Sequence, residues 1–366
     1  MLRKRVAGTA MALLFVFGPA VGYAVGWRQE PADNRAMAPT PSAAAGFAAL
    51  EAVGPWASDR LAARSSAVRA KSWFDFNVLR QVPPSGKVIR GSDGYLFLGE
   101  DFTKACTQTP GFREGLDRLG KLAAIIEKSG RKAVFTVGPN KSSVVTDALP
   151  SVVPKGECAS EGLETQNQIL DSYRHPSWLG VRKDLTDSQT YWKTDSHWSS
   201  AGSAVFARSL AAKLNPSLAA RLTMEPESTT KTADLNVLLG LTGKETPPGV
   251  QLSTGGTVTP APGSAEYDPL EVHYGQQKWT TCPATGLIPG RTVIIGDSFA
   301  YTALGNLRPL FADGHFLWTG HVTESDLITA IKAADTVIIE VVQRSITPSH
   351  PFANPTFHQK VAAALG

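Results

Sequence analysis

Two short stretches of the chain carry residue types that do chemistry. In Thr292-Val-Ile-Ile-Gly-Asp-Ser298-Phe an apolar run ends in a Gly-Asp-Ser turn. In Tyr191-Trp-Lys-Thr-Asp195-Ser-His197-Trp an acid and an imidazole lie two residues apart, just ahead of a helical pattern. A serine hydroxyl is a weak nucleophile until a base takes its proton, and an imidazole becomes a directed base once a carboxylate fixes its Nδ1 proton. Ser298, His197 and Asp195 are therefore candidate catalytic residues for acyl chemistry. Each also has a plainer reading. Asp297 or Ser298 caps a helix, and His197 is a surface histidine or, with Asp195, a metal ligand. The other histidines, at 175, 273, 315, 321, 350 and 358, show no ligand spacing, so neither a metal nor another cofactor is expected.

Further polar residues fall where apolar runs end. Val137-Gly-Pro-Asn140-Lys141 places an amide and an ammonium at one strand tip, with Asn140 suited to donate to an oxyanion and Lys141 to fix the loop. Ile338-Ile-Glu340-Val-Val-Gln-Arg344 ends another strand, and Glu340 and Arg344 offer either substrate contact or a buried ion pair. Tyr301, on the helix expected after Ser298, is a further candidate for substrate contact. Charged residues at strand ends commonly pair or solvate, so a structural role competes for both pairs. Ligands of open parallel sheets gather outside the carboxyl ends of the strands, where all these motifs fall.

The elements that must position them read as an α/β fold with a mainly parallel central sheet, because short apolar runs alternate with amphipathic helical runs from Lys87 onward. Expected strands are Lys132 to Val137, Gly180 to Asp184, Thr292 to Ile295, His315 to Trp318 and Thr336 to Val342. Expected helices are Gly111 to Lys128, Ser200 to Leu214 and Ser298 to Phe311, the last two beginning at serines suited to capping. Residues 241 to 281, rich in Gly, Pro and Thr and without a period, read as a long loop.

Upstream, Arg3, Lys4 and Arg5 precede the apolar, uncharged 22 residues Val6 to Trp27, a signal anchor or transmembrane helix long enough to span a bilayer, or a cleavable signal peptide. Either reading puts the rest of the chain outside the cytoplasm, single-pass on the cell membrane or secreted. The chain then divides into the anchor, 1–27; a flexible Ala/Pro/Ser/Thr spacer, 28–46; an accessory helical segment, 47–86, with apolar positions such as Leu50, Val53 and Trp73; and a globular domain, 87–366. Three of the four net positive charges come from residues 3–5, so nothing suggests a nucleic-acid partner. An oxidising compartment permits a disulfide. Cys106 and Cys158, both in loop-like sequence, are paired, leaving Cys282 over.

The ordered set Gly91-Ser-Asp-Gly-Tyr-Leu-Phe97, Pro139-Asn-Lys141, Thr194-Asp-Ser-His-Trp198, Ala233-Asp-Leu with Leu238-Leu-Gly240, and Gly296-Asp-Ser298-Phe resembles the SGNH-hydrolase-like alginate O-acetyltransferase family, that of the alginate acetylation proteins J and X. The resemblance spans roughly residues 87 to 345. It implies a three-layer α/β/α SGNH-like fold with permuted motif order, Asp and His preceding the Ser. It further implies a Ser298–His197–Asp195 triad and O-acetyl transfer to an exported polysaccharide or cell-envelope glycan. The acetyl donor would be delivered by a multipass membrane acyltransferase. Two other readings stay open: a carbohydrate acetylesterase using the same triad with water as acceptor, and a non-catalytic glycan-binding or assembly protein.

Overall fold

The computed structural model describes residues 37–42, 46–60, 64–82, 86–185, 188–228, 230–261 and 275–366, with positions 21, 25 and 44 beside them. Apart from those three positions, the apolar segment 1–27 and most of the spacer 28–46 lie outside the described residues. Among the described residues no helix is long and apolar enough to cross a membrane. The chain divides into two compact units, Ile89–Lys231 with Lys244–Gly366, and Met1–Val88 with Thr232–Gly243. In the second unit, residues 47–80 are helical as two segments, Ala48–Arg60 and Arg64–Asn77. Leu50, Val53 and Trp73 are exposed there, so the apolar pattern does not mark a buried face at those positions.

In the first unit seven strands form one sheet: β1 (Lys132–Gly138), β2 (Trp178–Leu179), β3 (Thr257–Pro260), β4 (Gln276–Cys282), β5 (Ile288–Gly296), β6 (Phe311–Trp318) and β7 (Thr336–Val342). Their spatial order is β2–β1–β7–β5–β6–β4–β3. The first five in that order run parallel, and β4 and β3 add an antiparallel edge. Side chains alternate along the central strands, as a pleated strand requires. Val134, Ile294, Phe316 and Ile338 pack in one core with Phe97, Trp198, Phe206 and Phe299. Ala133, Phe135, Val293, Ile295, Val337 and Ile339 pack in another with Leu116, Leu119, Leu327 and Phe357. The covering helices are α1 (Gly99–Lys128), α2 (Glu157–Ser172), α3 (Ser200–Leu214), α4 (Ser298–Thr302), α5 (Glu324–Ala333) and α6 (Pro355–Leu365). Pairing aligns the carboxyl ends of neighbouring strands, with Gly138 opposite Val342 and Gly296 opposite Trp318.

Several elements differ from the sequence expectation, each for a local reason. Helix α1 begins at Gly99 rather than Gly111 and carries Pro110 inside it. Phe102 and Ala105 are buried on its first turns, and that packing outweighs the bond a mid-helix proline removes. Cys106 and Cys158 form a disulfide, but from α1 to α2 rather than between loops. The expected strand Gly180 to Asp184 is instead the two-residue β2 followed by a 3-10 turn, Arg182–Asp184. There the Arg182 guanidinium is drawn to Asp171 and to the Ser143 carbonyl. The helix expected from Ser298 to Phe311 stops at Thr302. A second short segment, Leu304–Leu307, and a 3-10 turn through Pro309 follow, and Phe311 already opens β6. The stretch read as a loop, 241 to 281, contains strands: β3, β4, and Pro248–Ser253 paired antiparallel to Thr223–Ser228, with 262–274 outside the described residues. Its period-2 signal is carried by β4, where Trp279 is buried and its neighbours Lys278 and Thr280 face outward.

Candidate active site

The residues around Ser298 are placed by β5 and the break after it. Gly296 ends the strand, and Asp297 caps α4 by accepting the Phe299 N–H at 2.9 Å. Its second carboxylate oxygen accepts the Val342 N–H at 2.8 Å, tying the turn to the end of β7. The plain reading of Asp297 as a cap is therefore its observed role. The N–H groups of Asp297 and Ala300 both donate to Glu340 Oε2, at 3.2 and 3.1 Å. The Ser298 N–H, in the first turn of α4, has no acceptor among the described residues. Ser298 itself is partly exposed at the carboxyl edge of the sheet.

Asp195 and His197 sit in a loop closed by a single antiparallel bridge between Tyr191 and Trp198. The Ser199 side chain caps α3 immediately after it, accepting the Gly202 N–H. His197 Nδ1 lies 2.7 Å from Asp195 Oδ1, which also accepts the His197 backbone N–H at 3.0 Å. Asp195 Oδ2 is 2.9 Å from Lys231 Nζ. Burial alone would raise this carboxyl, but the hydrogen bond and charge from His197, with the Lys231 ammonium behind them, hold it well below the ordinary carboxylate range. An ionised Asp195 accepts only, so His197 Nδ1–H donates and Nε2 is left as the basic nitrogen.

Two contacts bring this loop to the serine turn. The Trp198 indole N–H donates to the Phe299 carbonyl and to Thr302 Oγ1, each at 3.1 Å. The His197 ring packs on the Phe299 ring with centroids 5.1 Å apart. These contacts set Trp198 and the His197 ring against Phe299, the residue that follows Ser298 in the chain.

The other expected residues divide. Lys141 is almost fully buried, and its three ammonium protons match three carbonyls of the loop: Trp192 at 3.1 Å, Lys193 at 3.0 Å and Asp195 at 2.6 Å. It braces the loop. Asn140, at the tip of β1, donates its backbone N–H to Gln343 Oε1 at 3.1 Å, while both atoms of its buried side-chain amide have no partner among the described residues. Arg344 lies 3.6 Å from Asp101 and over the Phe299 ring, 5.5 Å from its centroid. Asp101 is pushed up to about 6 by burial, against the pull of Arg344 and of the Ser142 hydroxyl. Tyr301 stacks on Trp318 at the end of β6, with ring centroids 4.5 Å apart. Three contributors carry roles that the sequence did not assign. Lys231 holds Asp195, Trp198 ties the loop to α4, and the Glu245 carboxylate accepts the Lys193 and Thr194 N–H groups at 2.7 and 2.8 Å. Lys231 and Glu245 lie far from the loop in sequence, and no local pattern marks them.

Residues 88–270 match the family model described as the SGNH hydrolase-like domain of the acetyltransferase AlgX. The chain belongs to that family. The match spans the Asp195–His197 loop and ends before Ser298, so the serine's place rests on the contacts above. No curated protein matches the chain in sequence. Among solved structures, Bacillus cereus PatB1 with a sulfonyl adduct is 13% identical, has a TM-score of 0.50, and covers 71% of this chain and 97% of its own. The O-acetyltransferase domain of Pseudomonas putida AlgJ is 17% identical, with a TM-score of 0.46, covering 76% of this chain and 99% of its own. Pseudomonas aeruginosa AlgX is 16% identical, with a TM-score of 0.43, covering 76% and 65%. At such identities only the PatB1 likeness bears on the fold, and on the fold alone. The acetyltransferase-type SGNH-like α/β domain is thus the frame into which the candidate residues are set.

Proposed function

We propose that this AlgX-family domain is a serine-dependent O-acetyltransferase acting on an exported polysaccharide or cell-envelope glycan. The observation that carries the reading is the Asp195–His197 pair held against the Ser298 turn through Trp198 and Phe299. In the first half-reaction His197 Nε2 takes the Ser298 Oγ proton as Oγ attacks the acetyl carbonyl. The oxyanion then collapses, the donor's oxygen leaves with the proton now on His197, and acetyl-Ser298 remains. In the second, His197 takes the proton of a sugar hydroxyl whose oxygen attacks acetyl-Ser298, and Ser298 leaves with that proton. Asp195 steadies the imidazolium in both. The Ser298 N–H, with the Asn140 amide, is the oxyanion donor, each such donor contributing about 3 kcal/mol. Arg344 and Tyr301 flank the turn as substrate contacts.

Names of relatives supply the rest of the proposal. AlgJ's solved domain is described as an O-acetyltransferase, and AlgX as an acetyltransferase. The acetyl group would arrive from a multipass membrane acyltransferase, and the segment 1–27 would hold the domain beside it, outside the cytoplasm. Substituting Ser298→Ala in the purified protein, assayed with an acetyl-ester reporter and an oligosaccharide acceptor, should lower turnover by about 10⁴-fold. Unchanged turnover would sink the assignment. Acetylated oligosaccharide among the products separates transfer from hydrolysis.

A further inference from the structure

Glu340 is an anomaly in its own strand. β7 is Thr336-Val-Ile-Ile-Glu340-Val-Val342, buried along its whole length, and Glu340 is 1% exposed in the middle of an apolar run. Alternation along the strand points its side chain to the same face as Ile338 and Val342, the face on which Phe299 packs. A buried carboxyl with nothing to do is costly, and a buried carboxylate more so. Here the surroundings are shaped around it. A Cβ added at Gly138 would stand 2.6 Å from Glu340 Oε1, and one added at Gly296 would stand 2.9 Å from Oε2, so on both neighbouring strands only glycine leaves room.

The two oxygens have different partners. Oε2 accepts the N–H groups of Asp297 and Ala300, which flank Ser298 on either side. Oε1 is buried with no donor beside it among the described residues. The neighbouring carboxyl is that of Asp297, whose own two oxygens already accept the Phe299 and Val342 N–H groups. A buried carboxylate oxygen left without a donor is costly, and an ionised neighbour adds to that cost. Both Asp297 oxygens have backbone donors, whereas Glu340 Oε1 has none, so a proton on Glu340 removes the unmet buried charge.

We infer that Glu340 is the positioning residue of the nucleophile turn: a neutral acid that takes the flanking amides on Oε2 and so leaves the Ser298 N–H as the turn's available donor. Burial, then the Asp297 charge, push the Glu340 carboxyl well above the usual range, in keeping with this. The other titratable groups nearby do not compete. Tyr191 is pushed well up by burial and stays neutral, His350 beside Asp297 is pulled down to about 4 by burial, and Arg344 pairs with Asp101. Glu340 acts through the backbone of the turn, not on substrate.

The inference rests on Ser298 being the nucleophile, and the test keeps the two apart. The full-length protein is labelled with a sulfonyl fluoride, the modified residue is identified by peptide mass spectrometry, and the rate is followed in wild type, Glu340→Gln and Glu340→Ala. Gln supplies the same acceptor and a neutral donor, so it should label within about threefold of wild type, while Ala should label about 10²-fold more slowly, the scale of a slightly misplaced reacting group. In acetyl transfer the Ala variant should lose kcat with KM little changed. Glutamate-labelled protein should show a protonated-carboxyl infrared band at neutral pH that Glu340→Gln lacks. Gln as slow as Ala, Ala as fast as wild type, or no such band overturns the role of Glu340. Should Glu340→Ala fail to fold, the Gln rate and the infrared band still decide. A wild type that labels elsewhere than Ser298 overturns the nucleophile reading instead.

Discussion

The loop 191–198 and the turn 296–300 hold their candidate side chains in opposite ways. The turn is built by local rules: a buried strand, a glycine, an aspartate cap and a short helix, all contiguous in sequence. The loop has almost no regular structure of its own and is held by side chains from elsewhere. Lys141 gathers three of its carbonyls, Glu245 takes two of its amides, Lys231 neutralises Asp195, and Trp198 bonds to α4. The lesson is that an acid–imidazole pair can be marked by its spacing, while its orientation is set by residues that carry no local signal.

Breaking the loop's brace should show the contrast most strongly. Lys141→Met leaves three loop carbonyls without their charged donor, and it should cost about 4 kcal/mol in urea unfolding, with kcat reduced as the loop loosens. An equal stability with full activity would mean that the loop holds itself. Asp101, paired with Arg344 and the Ser142 hydroxyl, has its carboxyl raised to about 6 by burial. With a folded value above the unfolded one, it binds its proton more tightly in the fold. The stability it contributes is present below about pH 4 and is lost as pH rises through about 6, roughly 3 kcal/mol across the interval. Asp101→Asn should remove that pH-dependent fall, so the wild-type and variant unfolding curves should diverge between pH 4 and 7. Parallel curves would contradict it. The smallest effect belongs to the link between the regions. Trp198→Phe keeps the ring but loses the bonds to the Phe299 carbonyl and Thr302, and it should cost about 1 kcal/mol of stability and roughly tenfold in kcat.

The same contrast explains what could be read in the sequence. β7 is found with its expected ends and α3 likewise, because an all-buried apolar run and a serine-capped helix declare themselves locally. β5 and β6 were located but extend further toward their amino ends than the apolar runs suggested. α1 reads short at Pro110-Gly111, and the strands between 244 and 282 read as loop because Gly, Pro and Thr dominate that stretch and mask the alternation in β4. Among the site residues, Asp195, His197 and Ser298 stood out by type and position. Lys231 and Glu245 did not, since a lone lysine or glutamate in a polar stretch looks like any solvated charge. Glu340 was noticed at its strand end, but its burial between Gly138 and Gly296 is a fact of tertiary structure.

The most direct test of the triad is to trap the acyl-enzyme. The protein is incubated with an acetyl donor and no acceptor, quenched in acid, digested and analysed by peptide mass spectrometry. The account predicts acetyl on Ser298, cleared when an oligosaccharide acceptor is added, with acetylated oligosaccharide formed, and no adduct in His197→Ala. Acetyl transfer that proceeds undiminished in Ser298→Ala, without any adduct on that peptide in the wild type, would contradict it.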